Sequence, residues 1–373
     1  MHSTATGTGA IRTAHRRTRV LSVTALTVGT GLLAAALAAP SPATAVAPAA
    51  TASPAATSTV SLRSAAAATG RLFGTGVMAN HLGESDYVAA LDAEFGMVTP
   101  ENEMTFIATE PQRREFVFSN ADRIVNHALS RGMKIRGYTL VWHSTLPNWV
   151  LSLTTPEQAR KGMNDHITTV MAHFKGKIHS WDVVNEAFTD GPEARRRGFP
   201  FQYKIGDTYI EEAFRTARAA DPSAKLCYND YNIDGINPKS DAVYALVKDF
   251  TSRGVPIDCV GFQSHFGRSW PVPPTHRVNL ERFAALGVDV QLTELDIEDP
   301  ADVQARDYAK VVGTCVAIPR CTAITVWGVT DKYSWRSMNR PLLLDASYGR
   351  KPAYHAVLDA LGAAPVPTPS ATP

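Results

Sequence analysis

One segment decides how this 373-residue chain folds: Trp181-Asp182-Val183-Val184-Asn185-Glu186-Ala187-Phe188. Its apolar first half is typical of a parallel strand that is covered on both faces. The strand then ends on an amide and a carboxylic acid, Asn185 and Glu186. Because the carboxyl ends of the strands carry the chemistry in barrels of parallel strands, we interpret Glu186 as a catalytic candidate. The alternative is an ordinary solvated residue after a strand.

A second carboxylic acid stands in a similar context, in Val288-Asp289-Val290-Gln291-Leu292-Thr293-Glu294-Leu295-Asp296. Here too an alternating apolar strand ends on a glutamate, Glu294. A glycosidase needs two carboxylates, one as acid for the leaving oxygen and one as base or nucleophile at the anomeric carbon. The pair Glu186 and Glu294 therefore predicts glycoside hydrolysis.

A histidine follows another predicted strand, in Gly261-Phe262-Gln263-Ser264-His265. The imidazole of His265 would hydrogen-bond the nucleophile and keep it ionised, with Asp296 orienting the ring. The alternative is a histidine whose hydrogen bonds are satisfied within the core.

Further polar and aromatic residues near strand ends suit a sugar. In Thr99-Pro100-Glu101-Asn102-Glu103-Met104, the side chains of Glu101 and Asn102 are placed to bind sugar hydroxyls, although an ordinary solvated loop is the alternative. Aromatic faces bury the apolar face of a pyranose. Four tryptophans lie near the predicted strand ends, each with a core role as its alternative: Trp142, Trp149, Trp327 and Trp335.

Eight short apolar runs alternate with helical stretches along the chain. The predicted strands are Leu72–Val77, Phe95–Thr99, Lys134–Val141, Ile178–Asn185, Lys225–Asn229, Ile257–Gln263, Val288–Glu294 and Ala323–Gly328. Eight strands separated by helices, over about three hundred residues, are typical of one parallel barrel. We therefore predict a single (β/α)8 TIM barrel, class α/β. A doubly wound open sheet is less favoured because candidate reactive residues follow many of the strands.

The barrel is predicted to occupy residues 66–362, between segments of different composition. Residues 1–45 combine arginines, an apolar run and the small residues Ala43-Thr44-Ala45, which indicates an export signal peptide rather than a membrane anchor. Residues 46–65 are rich in Ala, Thr, Ser and Pro and are interpreted as a flexible arm, and residues 363–373 as a Pro/Thr-rich tail. We expect a secreted, extracellular protein.

The charge of the chain argues against a polyanionic partner. There are 37 basic and 35 acidic residues, and removal of residues 1–45 takes away four arginines and no acid, which leaves a net charge of −2. A near-neutral protein suits a neutral substrate better than nucleic acid. We expect a monomer without a nucleic-acid or membrane partner.

The cysteines and the remaining motifs indicate neither a metal nor a cofactor. None of the four cysteines lies in a C-x-x-C pattern, and an even count in an exported protein is typical of disulfides. Three connectivities are possible. The short separation favours Cys315–Cys321, which leaves Cys227–Cys259; free buried thiols are the alternative. Gly74-Thr75-Gly76-Val77-Met78-Ala79 fits the dinucleotide fingerprint only superficially.

Together these motifs resemble glycoside hydrolase family 10, best known for endo-β-1,4-xylanases. The resemblance extends over about residues 72–361 and rests on the two glutamate segments, the segment ending in His265, and Thr325-Val326-Trp327-Gly328-Val329. It implies retaining hydrolysis of a plant polysaccharide of the xylan type, with Glu186 as acid/base and Glu294 as nucleophile. Retaining geometry requires about 5–5.5 Å between the two carboxyl groups.

The resemblance also implies the roles of the residues around the pair. Asn185 would hold the 2-hydroxyl of the reacting sugar, while Gln263 and His265 would support the nucleophile. The remaining implied site residues are Glu101, Asn102, Trp142, Trp327 and Trp335 on the glycone side, and His143, Asn229 and Tyr231 around the site. The disulfide pairing favoured above also occurs in this family.

Three positions depart from the family pattern. Thr105 stands where the family usually has Lys, Tyr138 where it has His, and Thr145-Leu146 where Gln follows the Trp-His-Ser run. In the family the Lys and His bind hydroxyls beside the scissile bond, and each lost hydrogen bond costs about 0.5–1.5 kcal/mol, or about 1.5–3 kcal/mol from a charged donor. These changes support a second hypothesis, a tomatinase-like glycosidase that releases an oligosaccharide from a glycoalkaloid saponin. A more distant alternative is a non-catalytic carbohydrate-binding barrel.

Overall fold

The computed structural model describes residues 60–362. The predicted export signal (1–45), residues 46–59 of the predicted arm and the predicted tail (363–373) lie outside the described residues. The strands are β1 (Leu72–Val77), β2 (Met97–Pro100), β3 (Lys134–Gly137), β4 (Val141–Trp142), β5 (Ser180–Asn185), β6 (Lys225–Asp230), β7 (Cys259–Phe262), β8 (His265–Gly267), β9 (Asp289–Glu298) and β10 (Cys321–Val326).

The helices separate most of these strands. They are α1 (Leu62–Ala68), α2 (Ser85–Glu94), α3 (Phe106–Thr109), α4 (Ser119–Ser130), α5 (Asn148–Leu151), α6 (Pro156–His173), α7 (Pro200–Ile205), α8 (Tyr209–Ala220), α9 (Pro238–Ser252), α10 (His276–Ala284), α11 (Ala301–Ala317) and α12 (Pro352–Ala360). Short 3₁₀ helices span Ala79–Gly83 and Ser337–Asn339. Within residues 60–362, none of the helices has both the length and the hydropathy needed to cross a bilayer.

The strands form a parallel sheet that closes on itself. Neighbouring strands follow the order β10-β1-β2-β3-β5-β6-β7-β9, and β9 pairs again with β10. Strands β4 and β8 continue the edges begun by β3 and β7, because β4 pairs with β5 and β8 pairs with β9. This closed barrel confirms the predicted (β/α)8 fold, and the doubly wound open sheet is wrong.

Two positions of the barrel are interrupted at its carboxyl end. The predicted strand Lys134–Val141 is wrong as one continuous strand, because residues 138–140 separate β3 from β4. In this gap the Leu140 N–H and the Thr139 hydroxyl both donate to the carbonyl of Asp182, at 3.0 and 2.9 Å. The regular hydrogen-bond pattern between this strand position and β5 is therefore interrupted. The Tyr138–Thr139 peptide bond is cis. A second break follows β7, where Ser264 has a left-handed φ of 61°.

Strand β9 extends four residues beyond the predicted end at Glu294. The extension pairs with β8, which places His265 opposite Asp296 and Gly267 opposite Glu298. The added pairing explains why the strand continues past the barrel edge, since backbone groups of an extended segment are satisfied by a neighbouring strand.

Helix α1 begins inside the segment that was predicted to be a flexible arm. Leu62 and Ala65 are buried in the core, and the Leu62 N–H donates to Glu94 Oε2 at 3.1 Å. Ser61 caps the helix by accepting a hydrogen bond from the Ser64 N–H at 3.3 Å. The folded part therefore starts before residue 66. The prediction missed this helix because alanine is common in linkers and also has the highest helix propensity of all residues.

A buried ion pair fills the interior of the barrel. The Nε of Arg136 on β3 donates to Asp182 Oδ2 on β5 at 2.8 Å, and another guanidinium N–H donates to Gln291 on β9. Each side chain of the pair is only 1% exposed. Removing one partner of such a pair leaves an uncompensated buried charge, which is strongly destabilising. Asp182, although it belongs to the segment that ends on Glu186, is thus a structural residue.

Both favoured disulfides are present. Cys227 on β6 and Cys259 on β7 lie directly opposite each other, with 4.5 Å between their Cα atoms. Cys315 in α11 is bonded to Cys321 at the start of β10.

We predict that the longer disulfide loop stabilises the fold more than the shorter one. The two bridges close loops with sequence separations of 32 and 6 residues. From chain entropy, the loss on removal is about 4 kcal/mol for Cys227–Cys259 and about 2 kcal/mol for Cys315–Cys321. Urea unfolding of the two double Cys→Ala variants measures the difference in the free energy of unfolding. Because all four cysteines are buried, the two variants are matched in the environment of the substituted residues. A greater loss from the six-residue bridge would contradict the entropic explanation.

Candidate active site

Strand β5 ends by turning Glu186 toward the mouth of the barrel. Glu186 has a φ of 56°, a left-handed conformation that non-glycine residues seldom adopt and that occurs at functional sites. Its N–H donates to the Asn229 carbonyl at 2.9 Å, and its own carbonyl accepts from Arg197 Nε at 3.1 Å. These bonds on both sides of the residue hold the backbone in this conformation, and the side chain stays 12% exposed.

Glu294 on β9 lines the same cleft as Glu186. Its Oε1 accepts from Asn229 Nδ2 at 2.9 Å, and its Oε2 lies 3.2 Å from His265 Nε2. Burial raises the pKa of Glu294, while His265 and Asn229 act in the opposite direction. A desolvated carboxylate that keeps two donors is well suited to act as a nucleophile.

His265 is a cation at neutral pH. Its Nδ1 lies 3.0 Å from Asp296 Oδ1, and its Nε2 lies beside Glu294. Burial lowers the pKa of a histidine, but the two carboxylates outweigh burial and raise the pKa of His265 to about 10. Asp296 is itself held by Trp335 Nε1 at 2.8 Å and by a guanidinium N–H of Arg336 at 3.1 Å. The site thus supplies a fixed positive charge next to Glu294.

Three amide side chains join the two carboxylates. Asn185 Oδ1 accepts from Asn229 Nδ2 at 3.0 Å and from Gln263 Nε2 at 3.3 Å. Gln263 Nε2 also donates to Glu186 Oε1 at 3.0 Å, and Asn229 Nδ2 donates to Glu294 Oε1. The hydrogen bonds therefore run without a gap from Glu186 to Glu294.

The cleft has a volume of about 1090 Å³ and lies across the carboxyl end of the barrel. Because Glu186 follows β5 and Glu294 lies on β9, the pair divides the mouth into two sectors. The β10–β4 sector includes Met78, Glu101, Asn102, Tyr138, Trp142 and Trp327, and the β6–β8 sector includes Tyr231, Asn232, Gly235, Trp270 and Pro273. A ligand in the cleft can therefore extend to both sides of the carboxylates.

Tyr138 forms part of the wall of the β10–β4 sector. Its ring packs edge-to-face on Trp327, with 5.4 Å between the centroids, and its hydroxyl accepts from Asn185 Nδ2 at 3.3 Å. Burial raises the pKa of Tyr138 well above its ordinary value, so the phenol stays neutral.

Two hydrogen-bond donors in this sector remain available to a sugar. Burial, together with Glu103 and Glu294, raises the pKa of Glu101 to about 8, so this carboxyl is mostly protonated at neutral pH. The Trp142 Nε1 is buried and has no hydrogen-bond partner among the described residues. Both groups can donate to a hydroxyl.

The β6–β8 sector begins with a tightly bonded group around Tyr231. The Tyr231 hydroxyl donates to Asp190 and accepts from an Arg197 N–H at 3.1 Å. The Nζ of buried Lys239 lies 3.4 Å from the centre of the Tyr231 ring and 2.9 Å from Asp230 Oδ1. These contacts fix the ring at the cleft wall.

A family model for glycosyl hydrolase family 10 matches residues 61–360. The chain belongs to this family. It is 40% identical over 312 residues to the endo-1,4-beta-xylanase of Agaricus bisporus, and the aligned region covers 79% of this chain and 92% of the relative. With endo-1,4-beta-xylanase A of Phanerodontia chrysosporium it is 40% identical over 319 residues, 81% of this chain and 77% of the relative.

Solved structures agree with this membership. Xylanase 10B from Thermotoga maritima matches with a TM-score of 0.78 at 39% identity, over 81% of this chain and 98% of that one. The family 10 chain is thus a glycoside hydrolase, and the hypothesis of a non-catalytic barrel loses its support. In the described part of the chain, no group of three or more His, Cys, Asp or Glu side chains could hold a metal.

Most of the predicted site residues of this family 10 chain come together. Those that line the cleft are Glu101, Asn102, Tyr138, Trp142, Glu186, Tyr231, Gln263, His265, Glu294, Trp327 and Trp335. Three others, Asn185, Asn229 and Asp296, lie directly behind it. The His143 Nδ1 is 3.9 Å from Glu186 Oε2, and burial, aided by Arg197, lowers the pKa of His143, so the ring is neutral.

Thr105 and Trp149 are not brought to the cleft. Thr105 is 3% exposed and precedes α3, and its hydroxyl donates to the Asn102 carbonyl at 2.7 Å, so it lies behind the wall. Leu146 packs against the core. Trp149, expected near the mouth, donates through Nε1 to the Glu110 carbonyl at 3.1 Å and packs against α6.

Several cleft residues were not foreseen. Trp270 stands in the loop after β8, and its position at the cleft depends on the pairing of β8 with β9, which the sequence did not predict. Tyr333 and Arg336 flank Trp335 in the sequence and line the cleft with it. No sequence signal indicated Asp190 or Arg197, which come from the loop between β5 and α7.

Replacement of His265 by Gln is expected to move the acidic limb of the pH profile upward. If Glu294 is the nucleophile, as the sequence predicts, it must be ionised to attack, so activity falls as the pH drops through its pKa. Loss of the imidazolium removes a stabilising charge while burial remains, and the limb of kcat/KM should shift up by about 1–3 pH units. Hydrolysis of an aryl β-glycoside between pH 3 and 9 measures the shift. The control is His127→Gln, because His127 pairs with Asp92 at 2.7 Å, away from the cleft. An unmoved or lowered limb would contradict the electrostatic role.

Proposed function

We propose that this protein is a secreted endo-1,4-β-xylanase that cleaves xylan by double displacement with retention of configuration. The observation that carries the proposal is the pair Glu186 and Glu294, joined through amide side chains in one cleft of a family 10 barrel. The relatives named above are endo-1,4-beta-xylanases, and xylanase 10B of Thermotoga petrophila, 39% identical to this chain, was solved in complex with xylobiose.

The reaction has two displacement steps. Glu294 attacks the anomeric carbon while Glu186 protonates the oxygen of the leaving sugar, so an ester forms between enzyme and glycone as the leaving chain departs. Glu186 then takes a proton from water, whose oxygen attacks the same carbon and releases Glu294. Two inversions give net retention. The predicted separation of about 5–5.5 Å between the carboxyl groups belongs to this mechanism.

The surroundings of the pair support these roles. The His265 cation and the Asn229 amide stabilise the charge on Glu294 before attack and when it leaves. Gln263 orients the carboxyl of Glu186. The Nδ2 of Asn185 has only long contacts within the protein, at 3.3 and 3.4 Å, which leaves it able to hold the 2-hydroxyl of the reacting sugar.

Xylan would lie across both sectors of the cleft. The glycone occupies the β10–β4 sector, where Glu101 and Trp142 offer donors and Trp327 offers an aromatic surface. The leaving chain occupies the β6–β8 sector, beside Tyr231. Space on both sides of the carboxylates supports cleavage within a chain rather than only at its end. The two disulfides support the extracellular location, because disulfides persist in oxidising compartments.

Tyr138 favours a second candidate, the tomatinase-like saponin glycosidase. It lies in the cleft wall as a neutral phenol bonded to Asn185, at a position where the family usually has His. Thr105, which replaces the usual Lys, brings no cation to the glycone sugar. A site with fewer donors for xylose hydroxyls suits a different sugar in the reacting position.

Removal of the Glu294 carboxylate should abolish turnover. Glu294→Ala is expected to lower kcat by at least about 10³-fold, or about 4 kcal/mol of transition-state stabilisation. The exposed Glu281→Ala on α10 is the matched control and should keep full activity. Proton NMR of the first product from an aryl β-xylobioside should show the β-anomer. An initial α-anomer, or an active Glu294→Ala enzyme, would overturn the mechanism.

Substitution of Tyr138 by His should raise the rate on xylan. A new donor to a sugar hydroxyl contributes about 0.5–1.5 kcal/mol, so kcat/KM on xylan should rise about 2- to 10-fold. Thr105→Lys, which lies behind the wall, tests whether the second departure also matters and should change the rate less. Rates on xylan and on a glycoalkaloid saponin are measured with products identified. A wild-type preference for the saponin would replace the xylanase proposal by the second candidate.

A further inference from the structure

We propose that Trp270 is a stacking platform for a sugar ring of the leaving chain, one that lies beyond the residue next to the scissile bond. The inference rests on the proposed xylanase function and adds a specificity determinant to it. Trp270 lines the β6–β8 sector, and its side chain is 64% exposed. Its neighbours in the cleft wall, Pro271 and Pro273, are also apolar, and a continuous exposed apolar surface at a cleft is typical of a ligand-binding groove.

The backbone of Trp270 is held in place before any ligand binds. The Gly267 N–H donates to the Trp270 carbonyl at 2.9 Å, and the Trp270 N–H donates to the Gly267 carbonyl at 3.0 Å. This pairing closes a two-residue turn at the end of β8. Strand β8 is itself paired with β9, the strand that carries Glu294. A ring that is positioned in advance loses less conformational entropy on binding.

A second loop supports the same wall. A Cβ atom on Gly235 would lie 2.5 Å from Pro273 Cβ, so the loop after β6 packs directly on the loop after β8. The Ile236 N–H donates to the Thr275 hydroxyl at 3.0 Å and joins the two loops. Trp270, with the neighbouring prolines, therefore belongs to one continuous apolar wall.

The position of the turn sets which sugar it can reach. Gly267 lies opposite Glu298, four residues beyond Glu294 along β9. At about 3.3 Å per residue, the turn stands about 13 Å along the strand from the nucleophile. The sugar that receives the proton of Glu186 lies closer, beside Tyr231. Trp270 is thus placed for the next ring of the leaving chain.

The chemistry near Tyr231 favours stacking as the main contact for the next ring. The Asp190 carboxylate already accepts from Tyr231, from Asn232 Nδ2 at 3.0 Å and from Lys239 Nζ at 3.3 Å. Little hydrogen-bonding capacity remains on Asp190 for hydroxyls. The apolar face of a pyranose covers an indole while its hydroxyls stay in water, so a xylose ring fits this surface.

The experiment compares a long substrate with one whose leaving group cannot reach Trp270. Kinetics of Trp270→Ala and Trp270→Phe are measured on xylohexaose and on an aryl β-xylobioside. We expect the ratio of kcat/KM between the two substrates to fall about tenfold in Trp270→Ala, and less in Trp270→Phe, which keeps a flat ring. The control is Tyr203→Ala, an aromatic residue on α7 that is 72% exposed and does not line the cleft, and its ratio should match wild type.

The outcomes separate this inference from the proposed function. If wild type cleaves xylohexaose but the ratio in Trp270→Ala stays within about twofold of wild type, the platform is refuted and the xylanase function stands. An equal loss on both substrates also refutes it, because a general defect lowers both rates. If wild type hydrolyses the aryl glycoside and leaves xylohexaose intact, the xylanase function fails, and the sugar platform fails with it.

Discussion

The hydrogen bonds of Asn229 are the interaction on which the site depends. Its Nδ2 donates to both Glu294 and Asn185, and its Oδ1 accepts from the Thr293 hydroxyl at 2.7 Å. The two carboxylates of the proposed catalytic pair, Glu186 and Glu294, come from strands that are not neighbours, and like charges at short range repel. The Asn229 amide lies on the intervening strand β6 and is hydrogen-bonded through both its oxygen and its nitrogen. It therefore holds the side chains on both sides of the site in fixed positions. It can do so only because the closed sheet holds β5, β6 and β9 in one register.

Buried charge in this barrel occurs at two levels with different roles. Deep in the interior, Arg136 and Asp182 neutralise each other, and neither they nor their partner Gln291 line the cleft. Near the mouth, His265 lies between Asp296 and Glu294, so that its charge is shared with the proposed nucleophile. The first pair is enclosed by the barrel, whereas the second stabilises the ionised form of Glu294. The two groups differ in their position relative to the cleft, because His265 and Glu294 line it whereas Arg136 and Asp182 do not.

Chemistry and specificity are carried by different parts of the fold. The groups proposed to react sit on strands or directly after them, where paired backbone fixes their positions. The surfaces proposed to meet the rest of the substrate come mainly from loops, as at Tyr138 in the gap between β3 and β4 and at Trp270 after β8. This division lets a family keep one reaction while its substrates change, because loops tolerate substitution that strands do not.

The sequence by itself determined the alternation of strands and helices, the two glutamates at strand ends and the histidine that follows another strand, and it favoured the disulfide pairing that the structure contains. Apart from the Cys227–Cys259 bridge, these features are local: alternation of apolar residues and the residue that follows a strand can be read from a few neighbours. Only the tertiary structure decided that the third strand is split, that Thr105 turns away from the cleft, that α1 begins inside the predicted arm and that Trp270 lines the cleft. Each of these depends on the register between distant strands or on one loop packing against another, and local pattern carries no information about either.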